Sequence, residues 1–268
     1  MTDNTFFTDN MNFSFSNIST FETCNYAWFL TYIESKERYS NYYSEFGNLC
    51  HDVMEKFMGD ELDIFDLSDY FTKNYSTIVR SSPPPFPKGL SERYYNEMIE
   101  FLDSISFDKS LNQPLSIEEF ISMKIGDVSV IAKPDLLYKD TIKDKIILCD
   151  FKTSKPFKSN GKLDQKKIDG YTKQLLLYAY IIKEVSHIHI DEIMLWFLRY
   201  DEQVFIPFTQ DDVQKTLNEF IENVNIIKDT REYPPNTKNK FFCQSLCGVS
   251  HSCKYKPEYI PKTEWTPD

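Results

Sequence analysis

Residues 128–153 read VSVIAKPDLLYKDTIKDKIILCDFKT, and this stretch decides the fold. Apolar residues run through VSVI and LLY and again through KIILC, with Asp135 at the first strand signal and Asp150 and Lys152 closing the last. Short apolar runs rich in Val and Ile and bounded by polar turns are strands. Side chains alternate along a strand, so Asp150 and Lys152 share one face while Phe151 enters the opposite layer. Two acids and one lysine are thereby expected to converge.

Working outward, EEFISMKI (118–125), the Gly126-Asp127 turn and VSVIAKPDLLY (128–138) read as two strands of a tight hairpin, and KIILCDFKT (145–153) as a third strand. A helix is predicted from about Gln165 to Glu184, then strands at IMLWFLRY (193–200) and QVFIPF (203–208). Thr209 with Asp212 reads as a capping box opening a helix to about Ile227. On the N-terminal side, residues 18–33 carry apolar side chains at helical spacing around Cys24. A second helix from about Glu45 to Met58 places Gly47 and His51 on one face. The run SSPPPFPKG (81–89) cannot continue a helix or a central strand, so residues 59–116 read as a helical insertion or lid. The expected class is α/β, a central mixed β-sheet flanked by helices, in one domain over residues 1–268.

The 268 residues, 41% hydrophobic and 26% charged, suit a globular chain with a real core. The start has acidic and amide residues where a secretory signal has basic ones, and no apolar run approaches membrane-spanning length. An intracellular protein without a membrane partner is the expectation, and there six cysteines suit thiols or thiolate ligands better than a disulfide framework. A net charge of −11 argues against a nucleic-acid binder taken globally. Locally, Lys152, Lys155, Lys158, Lys162, Lys166, Lys167 and Lys173 face only Asp164 and Asp169, which reads as a phosphate track or as a solvated loop and helix face.

Hydrolysing a phosphodiester near neutral pH needs a hard cation on the phosphate and an acidified water, and carboxylates are natural magnesium ligands. Asp135 and Asp150 would supply them, His51 would complete the shell, and Lys152 would orient the attacking water or offset developing charge. Gln174 and Tyr178, one helical turn apart, would hydrogen-bond a nucleotide or fix the lysine. QLLLYAYII also reads as an ordinary buried helix.

The series GNLCH, AKPDLLY, CDFKTSK and QLLLY resembles, in order and spacing, the motifs of RecB-type and CRISPR-adaptation-exonuclease-like nucleases of the PD-(D/E)XK superfamily, over nearly the whole chain. The resemblance implies a restriction-endonuclease-like core and magnesium or manganese on His51, Asp135 and Asp150. It also implies catalysis by Lys152, and support or DNA contact from Gln174 and Tyr178, with Lys155 on the adjoining basic segment. Ala132 departs from the family, whose members often have glycine before the second-motif aspartate.

Cys24 stands alone upstream, while Cys243, Cys247 and Cys253 form C-x3-C-x5-C within residues 241–256. Four thiolates suffice for a [4Fe-4S] cluster or a structural zinc, and either would pin the N-terminal helix to the tail. Many RecB-type nucleases hold a cluster on one early and three late cysteines, commonly as C-x2-C-x5-C. The resemblance thus implies iron-sulfur despite the extra residue, with His251 offering a zinc alternative and unliganded thiols a third. Cys50 and Cys149 read as small core residues.

The chain has no G-x4-G-K-[ST] phosphate loop, so any motor is expected on a separate helicase or recombination protein. The resulting expectation is a DNA exonuclease acting on single strands or duplex ends in recombination, repair or phage DNA metabolism, in the cytoplasm of a bacterial or phage-infected cell. Aromatic content of 16% is compatible with base stacking, although most rings belong in a core. The competing classes are a noncatalytic nuclease-fold module that binds DNA or protein, and an acidic DNA mimic. The second leaves the lysine segment and the cysteines unexplained.

Overall fold

The computed structural model describes residues 8–85 and 87–257. The two ends of the expected 1–268 domain, residues 1–7 and 258–268, and Phe86 of the proline run lie outside the described residues.

The strands are β1 (Asn12–Phe13), β2 (Asn112–Ile117), β3 (Ile121–Ile125), β4 (Val128–Ala132), β5 (Leu136–Asp140), β6 (Lys145–Lys152), β7 (Glu192–Phe197) and β8 (Glu202–Ile206). The α-helices are α1 (Phe15–Thr23), α2 (Asn25–Tyr32), α3 (Tyr42–Met58), α4 (Leu67–Ile78), α5 (Leu90–Ser104), α6 (Gln165–Ser186) and α7 (Gln210–Asp229). A five-stranded sheet runs β2-β5-β6-β7-β8, mixed because β6 and β7 are parallel and the other neighbours antiparallel. A smaller sheet runs β1-β4-β3.

Alternation along β6 divides the interior. Leu148 packs with α6 and α7 through Leu175, Ile181, Leu217 and Phe220. Ile147, Cys149 and Phe151 pack on the other side with Phe46, Val53 and Phe101 of α3 and α5. Each large apolar side chain so buried stabilises by about 1.5–3 kcal/mol. These two faces, more than helix propensity, hold α3 and α6 where the strand ends need them. Helix α3 starts at Asn41, whose side chain accepts from Tyr43 and Ser44 N–H while the Ser44 hydroxyl returns a bond to the cap, a reciprocal arrangement worth about 1 kcal/mol. Thr209 and Asp212 form the expected capping box at the start of α7.

Four expectations change. Residues 18–33 are two helices, because Cys24 is extended (φ −161°, ψ 106°) and ends α1 while opening α2. The break lets Phe21 and Trp28 meet edge to face, with the Trp28 indole donating to Asn17 Oδ1 at 2.9 Å in the core. The stretch 128–138 is two strands in different sheets, separated at Lys133-Pro134-Asp135, where proline has no N–H to continue a ladder. The helical segment after α3 ends at Ser104, and the last residues of the expected 59–116 insertion form edge strand β2, which tolerates Pro114 because an edge can spare an N–H. The strand expected over 193–200 stops at Phe197, and residues 198–200 form a short 3-10 turn.

Candidate active site

Helix α3, the β2 end, the β4–β5 crossing and the β6 end meet at one point. The Asp135 Oδ2 accepts from the Phe151 N–H at 2.6 Å, and His51 Nε2 lies 3.1 Å from the Phe151 carbonyl. A carbonyl only accepts, so Nε2 carries the hydrogen and the other ring nitrogen, Nδ1, faces the acids. Nδ1 is 3.5 Å from Asp135 Oδ1 and 3.6 Å from Glu118 Oε1. These residues line an open polar cleft of about 750 Å³ with Ser44, Gly47, Asn48 and Lys133.

Around the β6 end, Lys152 Nζ makes an ion pair with Asp150 Oδ2, lies 3.5 Å from Gln174 Oε1 and sits 4.6 Å over the Tyr171 ring. Gln174 Nε2 donates to the Tyr178 hydroxyl at 3.0 Å. The acid, the lysine, the amide and the phenol thus form a continuous polar chain from strand to helix. Despite its ion pair, the buried Asp150 Oδ2 has no well-directed hydrogen bond among the described residues.

The charges shift one another strongly. Burial pushes the Asp150 carboxyl up to about 6 against the pull of Lys152. Burial also acts to raise Asp135, yet the adjacent His51 ring, with Lys152 and the Phe151 N–H, holds it below the usual carboxylate range. Burial opposes the imidazolium, but Asp135 and Glu118 outweigh it and raise His51 to about 10. Lys152 is likewise raised, its burial overcome by Asp150 and Asp135. The site attracts positive charge.

The donor atoms of His51, Glu118 and Asp135 all lie within 4.8 Å of one another, a nitrogen and two carboxylate oxygens suited to a hard divalent cation. The Asp150 carboxylate, paired with Lys152, lies close enough for its charge and theirs to shift one another. The structure therefore brings His51 and Asp135 into one donor group and sets Asp150 with Lys152 next to it. Glu118 was missed by sequence reading. It was read as the first residue of the strand expected over 118–125, and its place opposite Asp135 follows from the Ile117–Leu136 register of β2 and β5.

Arg199 was also missed, being read as strand. Buried at 4% exposure, it donates to Glu97 of α5 and, through Nε, to the Thr153 carbonyl at 2.6 Å, with its guanidinium 3.4 Å over the Tyr94 ring. It ties the inserted helix to the residue after Lys152.

Lys155 is exposed at the start of a turn closed by Lys158 N–H to Lys162 O (2.8 Å) and by the Phe157–Leu163 bridge. Lys158 is 3.9 Å from Asp164 and Lys173 2.6 Å from Glu219, whereas Lys155, Lys162 and Lys166 have no ion pair among the described residues. The basic track is thus narrower than the sequence suggested.

Remote from this cleft, Cys24, Cys243, Cys247 and Cys253 line one cavity of about 340 Å³ counting its mouth. Cys24 Sγ accepts from Asn236 N–H at 3.3 Å. His251 stacks on Tyr39 with ring centroids 4.1 Å apart and is absent from the cavity lining. Cys50 and Cys149 are fully buried in the core, as expected.

Residues 12–254 match the family model of the PD-(D/E)XK nuclease superfamily. A curated relative from Arabidopsis thaliana, a DNA replication ATP-dependent helicase/nuclease, is 24% identical over 134 residues, which is 47% of this chain and 9% of that one. The chain therefore spans only a small part of that relative's length. A crystal structure of a Eubacterium rectale protein provisionally named an exonuclease superposes with a TM-score of 0.53 at 12% identity, covering 97% of this chain and 96% of that one. This likeness speaks for a shared restriction-endonuclease-like fold. Among the described residues, no helix is long and apolar enough to cross a membrane.

Proposed function

Because the chain belongs to the PD-(D/E)XK nuclease superfamily, we propose that it is a divalent-metal-dependent exonuclease that hydrolyses DNA phosphodiester bonds. One observation carries the reading: the Phe151 peptide bonds Asp135 on one side and His51 on the other, between the motif residues Asp150 and Lys152. All four chemical groups are thereby fixed to the end of one strand.

His51 and Asp135 would hold magnesium or manganese with Asp150 beside them, and the cation supplies phosphate polarisation and a more acidic water. The residues do the rest. Lys152 presents a buried ammonium to the reacting phosphate, and Gln174, itself held by Tyr178, fixes where that ammonium points. Lys155, Lys162 and Lys166 would carry backbone phosphates toward the cleft. A single strand or a duplex end would be the substrate, and a separate helicase or recombination protein the partner class. We place the activity in the cytoplasm of a bacterial or phage-infected cell. The proposal extends to a [4Fe-4S] cluster, or a structural zinc, on the four cysteines that line one cavity.

The test is a magnesium and manganese titration of anaerobically purified protein on end-labelled single- and double-stranded DNA, beside Asp150→Ala. Metal-dependent degradation that the variant lacks is the expected result. Equal activity in both preparations, or silence on every substrate, defeats the proposal.

A further inference from the structure

A third donor completes the His51–Asp135 pair, and it belongs to neither acidic motif. Glu118 follows β2 directly, and its N–H donates to the Asp135 carbonyl at 3.1 Å, so the two acids stand side by side across the β2–β5 pair. The residue adopts a left-handed backbone (φ 50°), uncommon for a glutamate and characteristic of strain kept at functional positions. Its side chain is 11% exposed, with Oε1 toward His51 Nδ1, and its other oxygen is met at 2.5 Å by Lys133, a lysine whose own side chain is 54% exposed. A sheltered carboxylate thus holds an exposed ammonium at the mouth of the cleft.

Two further observations point to a cation here. The hydrogen bond from His51 Nε2 to the Phe151 carbonyl leaves Nδ1 as the nitrogen facing both acids. The donor atoms of His51, Glu118 and Asp135 lie within 4.8 Å of one another, one nitrogen and two carboxylate oxygens that suit a hard divalent cation.

We propose that Glu118 is a ligand of the divalent cation together with His51 and Asp135, and that Lys133 is a built-in counter-ion which the cation displaces from it. This rests on the metal-dependent reading above. Two cations compete for one carboxylate, so removing the ammonium strengthens binding of the other. Lysine suits the task because its long stem lets the charge move to solvent with little loss of packing.

Binding of manganese alone to the full chain tests this, by titration calorimetry and by the electron paramagnetic resonance of the bound ion. Glu118→Gln keeps the shape and the bond to Lys133 but removes the charge, and is expected to weaken binding at least tenfold and change the spectrum. Glu118→Asn, which tolerates the left-handed backbone, repeats the measurement if the first variant misfolds. Lys133→Gln is expected to tighten binding severalfold, and the exposed Glu119→Gln to leave it unchanged. Wild-type affinity in both Glu118 variants while Asp135→Asn loses the ion overturns the ligand role and leaves the metal reading standing. Weaker binding in Lys133→Gln overturns the counter-ion role. Absence of manganese binding by the unaltered protein overturns this proposal and the metal reading together.

Discussion

Asp135 accepts a hydrogen bond from the backbone N–H of Phe151 at 2.6 Å, so one acidic motif is bolted to the centre of the other. Asparagine can accept the same bond. Asp135→Asn is therefore expected to melt within a few degrees of the unaltered protein while losing at least about a hundredfold in nuclease rate, as expected when electrostatic stabilisation of a transition state is removed. Thermal melts beside a cleavage assay check both halves, and an active variant would defeat the assigned role.

Lys152 and Asp150 are a buried ion pair, with side chains 16% and 4% exposed. Removing one partner strands the other charge, at a cost of about 3–5 kcal/mol, whereas neutralising both removes the problem. Urea unfolding should show Lys152→Met clearly destabilised and Asp150→Asn/Lys152→Met recovering most of the loss, with both inactive. Additive destabilisation in the double variant would show that the pair is not coupled.

Arg199 bonds Glu97 and the Thr153 carbonyl and covers the Tyr94 ring. Arg199→Leu should cost about 3 kcal/mol, the lower end for a broken buried pair because Glu97 is 24% exposed. The turnover number should fall more than the substrate affinity, because the Thr153 peptide beside Lys152 is released. Steady-state kinetics at a temperature where the variant stays folded separate the two.

Cys24 holds a cavity wall that also carries Cys243, Cys247 and Cys253. Cys24→Ser is expected to lower iron content and the brown absorbance of anaerobically purified protein, and to loosen α1 and α2 from the tail, seen as faster proteolysis near residue 236. Full iron retention in the variant counts against the four-cysteine set.

Glu45 anchors the proline loop to α3, accepting from Arg80 N–H (2.9 Å), Ser81 N–H (2.6 Å) and the Ser40 and Ser81 hydroxyls. Burial acts to raise its carboxyl, but these bonds outweigh it and hold the carboxyl below the ordinary glutamate value of 4.5. A depressed acid contributes stability that is present above its unfolded pKa and is lost as pH falls through the folded one. Glu45→Gln should thus cost about 1 kcal/mol at neutral pH, and the gap from the unaltered protein should close as pH falls through the lowered folded value. A difference that stays constant from pH 7 to pH 3 would contradict the charge-based account.

The sequence made the two motif strands and the amphipathic helices legible because those signals are local. KIILCDFKT alternates as expected in β6, Thr209 caps its helix, and Gln174 and Tyr178 meet one turn apart. Boundaries set by tertiary contacts were not legible. Cys24 breaks a helix so that Phe21 and Trp28 share a core, and 128–138 divides between two sheets. Arg199 reads as strand until Glu97, 102 positions away, is brought to it.

By itself the sequence determined which candidate residues share a face within each segment, since strand alternation and helical spacing fix side chains relative to near neighbours. Only the tertiary structure decided which segments meet. The β2–β5 register sets Glu118 against Asp135, the Phe151 peptide bonds both Asp135 and His51, the latter 100 positions away, and distant cysteines gather around one cavity. Contacts between segments depend on burying both faces of the sheet at once, a condition no local window contains.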